Sequence, residues 1–231
     1  MLEIPFLTGS LQPYQSANLI ADVVSERVKL IIPIMDAQGN SIGRLSPLTV
    51  SSLGDKTLIE AMTRWRRHSA RFFLTQFDAT PERTTQWLEN TVFNDPSRLL
   101  FTIHSASKLI GQYGFKNLSS KSAEVDNLLR GESGGNPQLI YFAEIALVGW
   151  LFSTFEITNL YGYVLAENWQ ALQLHARVGF ENTDLIPLTK EHSVTETIYR
   201  LGLPGNKSSD NLYSQKISLH RNNFISKGNN T

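Results

Sequence analysis

Residues 138–155 read as a helix with almost no polar face. Leu139, Ile140, Phe142, Ile145, Leu147, Val148, Leu151 and Phe152 are distributed all round it, and a helix of that kind has to be buried. Asn136 and Pro137 open it, a capping residue followed by one whose fixed φ suits the first turn. A β-rich run, Ala123–Leu129, precedes it, and a second, Asn159–Ala166, follows it. A strand, a buried helix and a strand in succession make a crossover, so the two strands are expected to lie parallel in one sheet. The longest apolar run, Ile145–Phe152, is far short of the ~20 residues that span a bilayer. The helix therefore belongs to a protein core, and no membrane partner is expected.

The elements around this unit follow from turn and cap signals. Leu99–His104, Leu109–Phe115 and Ala123–Leu129, joined by short polar turns, predict an antiparallel meander. Upstream, Lys29–Met35 and Ser41–Leu45 flank a Gly-containing spacer and predict a hairpin, and Leu48–Leu53 reads as a further short β-rich segment. Asp55 caps a helix over 56–67, and Thr80 with Pro81 opens another. Downstream, Asn168 caps a short helix to Arg177 that Gly179 ends. Ser193–Leu201 and Leu212–Leu219 are expected to form a closing hairpin, with 226–231 frayed.

Bulk properties narrow the function. The 231 residues suit one domain with an elaborated end, and 41% apolar against 18% charged residues is an ordinary globular balance. Twenty-one basic residues cancel 21 acidic ones, which removes the cationic surplus that nucleic-acid binding uses. The absence of cysteine excludes disulfides and thiolate chemistry, and the five scattered histidines make no ligand spacing, so no metal is expected. Met1–Leu11 lacks the basic start and apolar stretch of a signal peptide, giving a cytoplasmic location as the default.

Three local features carry chemistry. Arg130-Gly131-Glu132-Ser133-Gly134-Gly135-Asn136-Pro137 is a glycine-rich turn at a helix N-terminus, where close backbone approach and free N–H groups favour an anion such as pyrophosphate; the plain alternative is a connector. Asn168, Ala171, Leu174, His175, Gly179 and Phe180 follow a strand directly, although Asn168 and Gly179 are equally explained as helix caps. Glu124 and Asp126, two residues apart, share one face of a strand, as catalytic or merely solvated carboxylates.

Taken in order, these features resemble the GNAT superfamily of acyl-CoA-dependent N-acetyltransferases over roughly residues 45–221. Arg130 and Gly135 match the ends of that family's pyrophosphate loop, with Ser133 in place of its middle glycine. Asn168, Ala171, Leu174, Gly179 and Phe180 match its later signature, with His175 where the family has a tyrosine. The resemblance implies an α/β fold with a mixed, mostly antiparallel sheet of about seven strands, helices on both faces, and a splayed parallel pair at 123–129 and 159–166. Residues 1–44 would be an N-terminal extension with a hairpin, and 222–231 a frayed tail. Acetyl-CoA would be the co-substrate, its pantetheine arm meeting backbone groups of Asn127, Leu128 and Leu129, and its pyrophosphate meeting Arg130, Gly131, Ser133, Gly134, Gly135 and Asn136. Glu124 or Asp126 would take a proton from the acceptor amine, directly or through water, Asn168 would hold the thioester end or an ordered water, Ala171 would line the cofactor site, and His175 would return a proton to sulfur.

The acceptor is less defined. Arg64, Arg66, Arg67, His68 and Arg71, followed by Phe72, Phe73 and Phe77, are either a solvated helix end or a site for a phosphate-bearing amine such as a nucleotide-linked amino sugar. A protein N-terminus is the other acceptor class the resemblance allows, and a homodimer is compatible with it. Two competing readings are a catalytically silent acyl-CoA-binding module and a serine hydrolase. The latter rests on the string Gly131-Glu132-Ser133-Gly134-Gly135, with Asp184 and His192, or Asp210 and His220, completing a triad.

Overall fold

The computed structural model describes residues 13–208 and 210–228. Among these residues ten strands, numbered in chain order, form one sheet in the order β1 (Ile32–Met35), β2 (Ser41–Pro47), β4 (Leu99–Ser105), β5 (Lys108–Lys116), β6 (Ser122–Arg130), β7 (Asn159–Leu165), β10 (Tyr213–His220), β8 (Glu181–His192), β9 (Glu196–Leu201) and β3 (Thr75–Phe77). Helix α1 (Pro13–Val24) leads into the hairpin β1 (Ile32–Met35) and β2 (Ser41–Pro47), and β2 pairs antiparallel with β4 (Leu99–Ser105). The expected meander is present as β4, β5 (Lys108–Lys116) and β6 (Ser122–Arg130). Helix α4 (Leu139–Thr154) then crosses over to β7 (Asn159–Leu165), which pairs parallel with β6.

The sheet is covered on both faces. On one, α1 and α4 bury Ile20, Val23, Leu139, Leu147 and Leu151 against Phe101, Ile103, Tyr113, Phe115 and Leu160. On the other, α2 (Lys56–His68) and α3 (Pro81–Trp87) bury Ile59, Met62 and Trp65 against Leu88, Leu100 and Leu129. Asp55 and Thr80 cap these two helices through their side chains, accepting from the N–H groups of Leu58 and Arg83. Helix α5 (Trp169–Val178) is capped by Asn168 and ended by Gly179 at φ 124°, the conformation glycine tolerates best.

Several expectations need correction. The sheet has ten strands instead of about seven, because the β1–β2 hairpin joins one edge and β3 (Thr75–Phe77) the other. Leu48–Leu53 is not a strand: Val50–Gly54 forms a 3-10 turn that Thr49 and Ser52 cap reciprocally. The closing hairpin is also replaced. A twelve-residue strand, β8 (Glu181–His192), pairs with β9 (Glu196–Leu201), while β10 (Tyr213–His220) inserts between β7 and β8. Of the tail expected to fray at 226–231, residues 226–228 belong to α6 (Arg221–Gly228), and 229–231 lie outside the described residues, as does Met1–Leu11. Among the described residues no helix is long and apolar enough to cross a membrane.

Candidate active site

The parallel pairing of β6 and β7 is short. Only Ser122–Glu124 are registered with Asn159–Tyr161. Beyond Glu124 the two strands have no ladder between them, so the edge of β6 that faces β7 is left unpaired. Just past that point β6 bulges: Gln112 is opposite Leu129 and Gly114 opposite Asp126, so Asn127 and Leu128 together face Tyr113. Asn127 takes the extra turn at φ 58°, a device that re-aims a strand beside a site.

Side chains alternate about this opening. Ala123 and Val125 enter the core under α4, which turns Glu124 and Asp126 to the α2–α3 face. Lys116 Nζ lies 3.2 Å from both Glu124 Oε1 and Asp126 Oδ1, and Asn117 Nδ2 donates to Glu124 Oε2 at 2.8 Å. Burial pushes the Glu124 carboxyl above its ordinary range and outweighs the neighbouring Lys116. For Lys116 burial acts downward, but Asp126 and Glu124 prevail and hold its ammonium above the usual range. Tyr161, registered with Glu124, is pushed upward by burial and by that carboxylate.

The glycine-rich turn closes the far end of the opening. Gly134 and Gly135 both have positive φ, 106° and 71°. Arg130 donates to the Gly134 carbonyl at 2.6 Å, and Lys108 Nζ donates to the Ser133 carbonyl at 2.7 Å. Gly131 lies flat against Trp65, where a Cβ would come within 2.0 Å of the indole. Trp65 Nε1 donates to Glu132 Oε1 at 2.9 Å, and Arg64 pairs with the same carboxylate. Asn136 Oδ1 accepts from the Gln138 N–H at 2.8 Å ahead of α4. Two cations and two left-handed glycines at an unpaired strand edge suit a phosphate-bearing chain.

The remaining site residues fall on α5 and α4. Asn168 Oδ1 accepts from Ala171 N at 3.3 Å, so the cap expected of it is present. His175 is 5% exposed and its Nδ1 is 2.5 Å from Oε1 of Glu144, which is fully buried in α4. Tyr113 donates to the same oxygen at 3.2 Å. Sequence reasoning missed Glu144, Tyr113, Lys116 and Lys108. The signal for Glu144 was present, since it is the single charged side chain in an otherwise apolar helix.

The basic cluster on α2 does not act as a unit. Arg64 serves Glu132, His68 Nδ1 donates to the Arg64 carbonyl at 2.7 Å, and Arg67 donates to the Ala79 carbonyl at 2.5 Å. Arg66 turns inward: its guanidinium is 3.5 Å from the Phe73 ring centroid and 5.1 Å from that of Phe77. Burial pushes it down to about 10, with Asp126 near enough to act on its charge in the opposite direction.

The hydrolase constellation is not assembled. Three antiparallel strands lead to Ser133, α4 begins only at Leu139, Asp184 faces Lys216 at 3.7 Å and His192 Nδ1 meets the Thr197 hydroxyl. A nucleophile elbow needs a strand running straight into its helix.

The model of the acetyltransferase (GNAT) domain matches residues 45–181, more than half of the chain. The chain belongs to the GNAT acetyltransferase family. It is an acetyl-CoA-dependent N-acyltransferase. No curated protein matches it in sequence. Spermidine N-acetyltransferase from Vibrio cholerae, solved with CoA and spermine, superposes with a TM-score of 0.59 at 15% identity, covering 80% of this chain and 99% of that one. A GCN5-related N-acetyltransferase from Brucella melitensis gives 0.60 at 14% identity over 85% and 81%. The ribosomal L7/L12 alpha-N-protein acetyltransferase RimL, in its apo form, gives 0.58 at 12% identity over 83% and 94%. At these identities the structural likeness speaks to the fold, which is the GNAT mixed sheet with helices on both faces.

Proposed function

We propose that this enzyme transfers the acetyl group of acetyl-CoA to the primary amine of a small acceptor that also carries an anionic group such as phosphate. Bound acetyl-CoA supplies an activated thioester carbonyl. The unpaired edge of β6 at Asn127–Leu129 accepts the pantetheine arm, and Arg130 and Lys108 turn from the loop carbonyls to the pyrophosphate over Gly131–Asn136. Glu124, whose buried carboxyl is poised above the ordinary range, removes a proton from the amine, directly or through water. Asp126 and Lys116 hold it in place, and His175 returns a proton to sulfur.

The observation that carries the reading is the separation of β6 from β7 immediately after the Glu124–Tyr161 pair, with carboxylates on one face of the opening and the cation-bearing turn at its end. The acceptor class rests on charge. Glu124 and Asp126 are balanced by Lys116 and Arg66, so the acceptor side offers little surplus negative charge to a polyamine. An amine that brings its own anion finds a carboxylate for one end and the Arg66 guanidinium for the other.

Calorimetric titration with acetyl-CoA and desulfo-CoA tests the first half, with micromolar binding that weakens in Arg130→Glu as the expected result. No binding by the wild type refutes the reading. An amine screen tests the second half: Arg66→Gln raises KM for a phosphate-bearing amine about tenfold or more, as loss of a charge-assisted contact requires, while Arg67→Gln does not. Equal effects of the two substitutions would refute the phosphate assignment.

A further inference from the structure

We infer that Glu144 and Tyr113 are positioning residues that fix the ring of His175 for proton transfer. The inference rests on the reading of His175 as the proton donor. Glu144 is 0% exposed in the middle of α4, and its second oxygen, Oε2, has no hydrogen-bond partner among the described residues. A buried carboxylate costs several kcal/mol unless a partner of opposite charge and hydrogen bonds compensate it, so its retention among Leu139, Ala143, Leu147 and Val148 calls for a reason.

The three side chains come from three elements, β5, α4 and α5. Tyr113 is on β5 directly opposite the Asn127–Leu128 bulge, Glu144 lies above on α4, and His175 comes from α5, which follows β7. Phe180 packs edge-on to the imidazole at 5.5 Å between ring centroids and limits its tilt. The Tyr113 phenol is pushed well above the tyrosine range by burial and by Glu144, and therefore stays a donor to that carboxylate. A carboxylate only accepts. With Glu144 accepting from both Tyr113 and Nδ1–H, Nε2 is the nitrogen left to exchange protons.

In the transfer itself a C–N bond forms and the C–S bond breaks with its electron pair going to sulfur. Glu124 takes the amine proton, and His175, doubly protonated before the step, gives its Nε2 proton to the thiolate and is left neutral, still held through Nδ1–H by Glu144. Water returns both groups to their starting states. Glu124 is on the α2–α3 face of the sheet, and His175 is held from the α4 side.

The test is Glu144→Met, which keeps the volume, removes the charge and suits an apolar surround. With acetyl-CoA and amine saturating, kcat falls about tenfold or more while KM for acetyl-CoA stays within about twofold. Long-range ¹⁵N spectra of the neutral imidazole, recorded on the same protein at a pH where the ring has lost its second proton, shift from the Nδ1–H pattern to the Nε2–H pattern. Tyr113→Phe, which removes one hydroxyl, covers the case in which Glu144→Met fails to fold: kcat falls severalfold and Nδ1–H persists. An unchanged ¹⁵N pattern in Glu144→Met, or unchanged kcat in both variants, overturns the inference. If His175→Phe turns over normally, the reading of His175 as donor fails instead. If the wild type acetylates no amine, the ¹⁵N comparison still decides whether Glu144 sets the ring.

Discussion

Glu124 illustrates how one side chain is pulled two ways. Burial raises its carboxyl while Lys116 and Asn117 hold the ionised form, and burial prevails. The folded protein therefore binds a proton that the unfolded chain has already released. Stability from this group is full below the ordinary value of 4.5 and declines as pH rises through the raised one. Glu124→Gln is accordingly expected to melt no lower than the wild type at pH 7 while kcat drops about 10²-fold or more. In the wild type kcat/KM should rise with pH through the raised Glu124 value, a limb missing from the variant. A thermal scan with a pH–rate profile checks both, and a variant that loses stability at pH 7 would contradict the sign. Gly131 is a second residue-scale constraint. A Cβ there meets the Trp65 indole at 2.0 Å, so Gly131→Ala should cost about 1–3 kcal/mol by overpacking and weaken acetyl-CoA binding by displacing the turn.

At the scale of elements, α5 separates structural from functional demands. Its cap depends on Asn168 Oδ1 accepting from Ala171 N, and Asn168→Ala should lower stability by about 0.5–2 kcal/mol. If the cap is its main duty, KM for acetyl-CoA stays put; a KM rise without a melting shift assigns Asn168 to the ligand instead. The elements legible in the sequence were those with local signals. Asn136 and Pro137 before α4, Thr80 and Pro81 before α3, and Gly179 after α5 set boundaries within a residue or two. The parallel pairing of β6 and β7 followed from the crossover, and its splay from the resemblance. What escaped had only non-local causes. β8 contains Pro187 and a polar Glu181–Asp184 start, and it becomes a strand through pairing with β10 and β9. β3 is three residues held by β9. The site split along the same line: Glu124 and Asp126 could be paired from their spacing, whereas Lys116, brought in by the β5–β6 register, and Glu144, brought in by packing, could not.

At the scale of the molecule, residues 13–44 are built into the main core. Ile20, Val23, Val24, Ile32 and Ile34 are buried in the main core with α4, each worth about 1.5–3 kcal/mol when fully buried. Together they rival the whole stability of a typical domain, about 5–15 kcal/mol. A chain beginning at residue 45 is therefore expected to lack a cooperative melting transition, even though it retains every residue assigned to chemistry; circular dichroism during heating would show it. Strand order has a further consequence, in time instead of space. β10 is synthesised after the other nine strands yet sits between β7 and β8. Until Tyr213–His220 leaves the ribosome, two neighbouring strand edges stand open in the nascent chain. The wall of the cleft that begins at β7 is completed by the last of these ten strands to be made, so a partly translated enzyme has its glycine-rich turn long before it has a finished place to work.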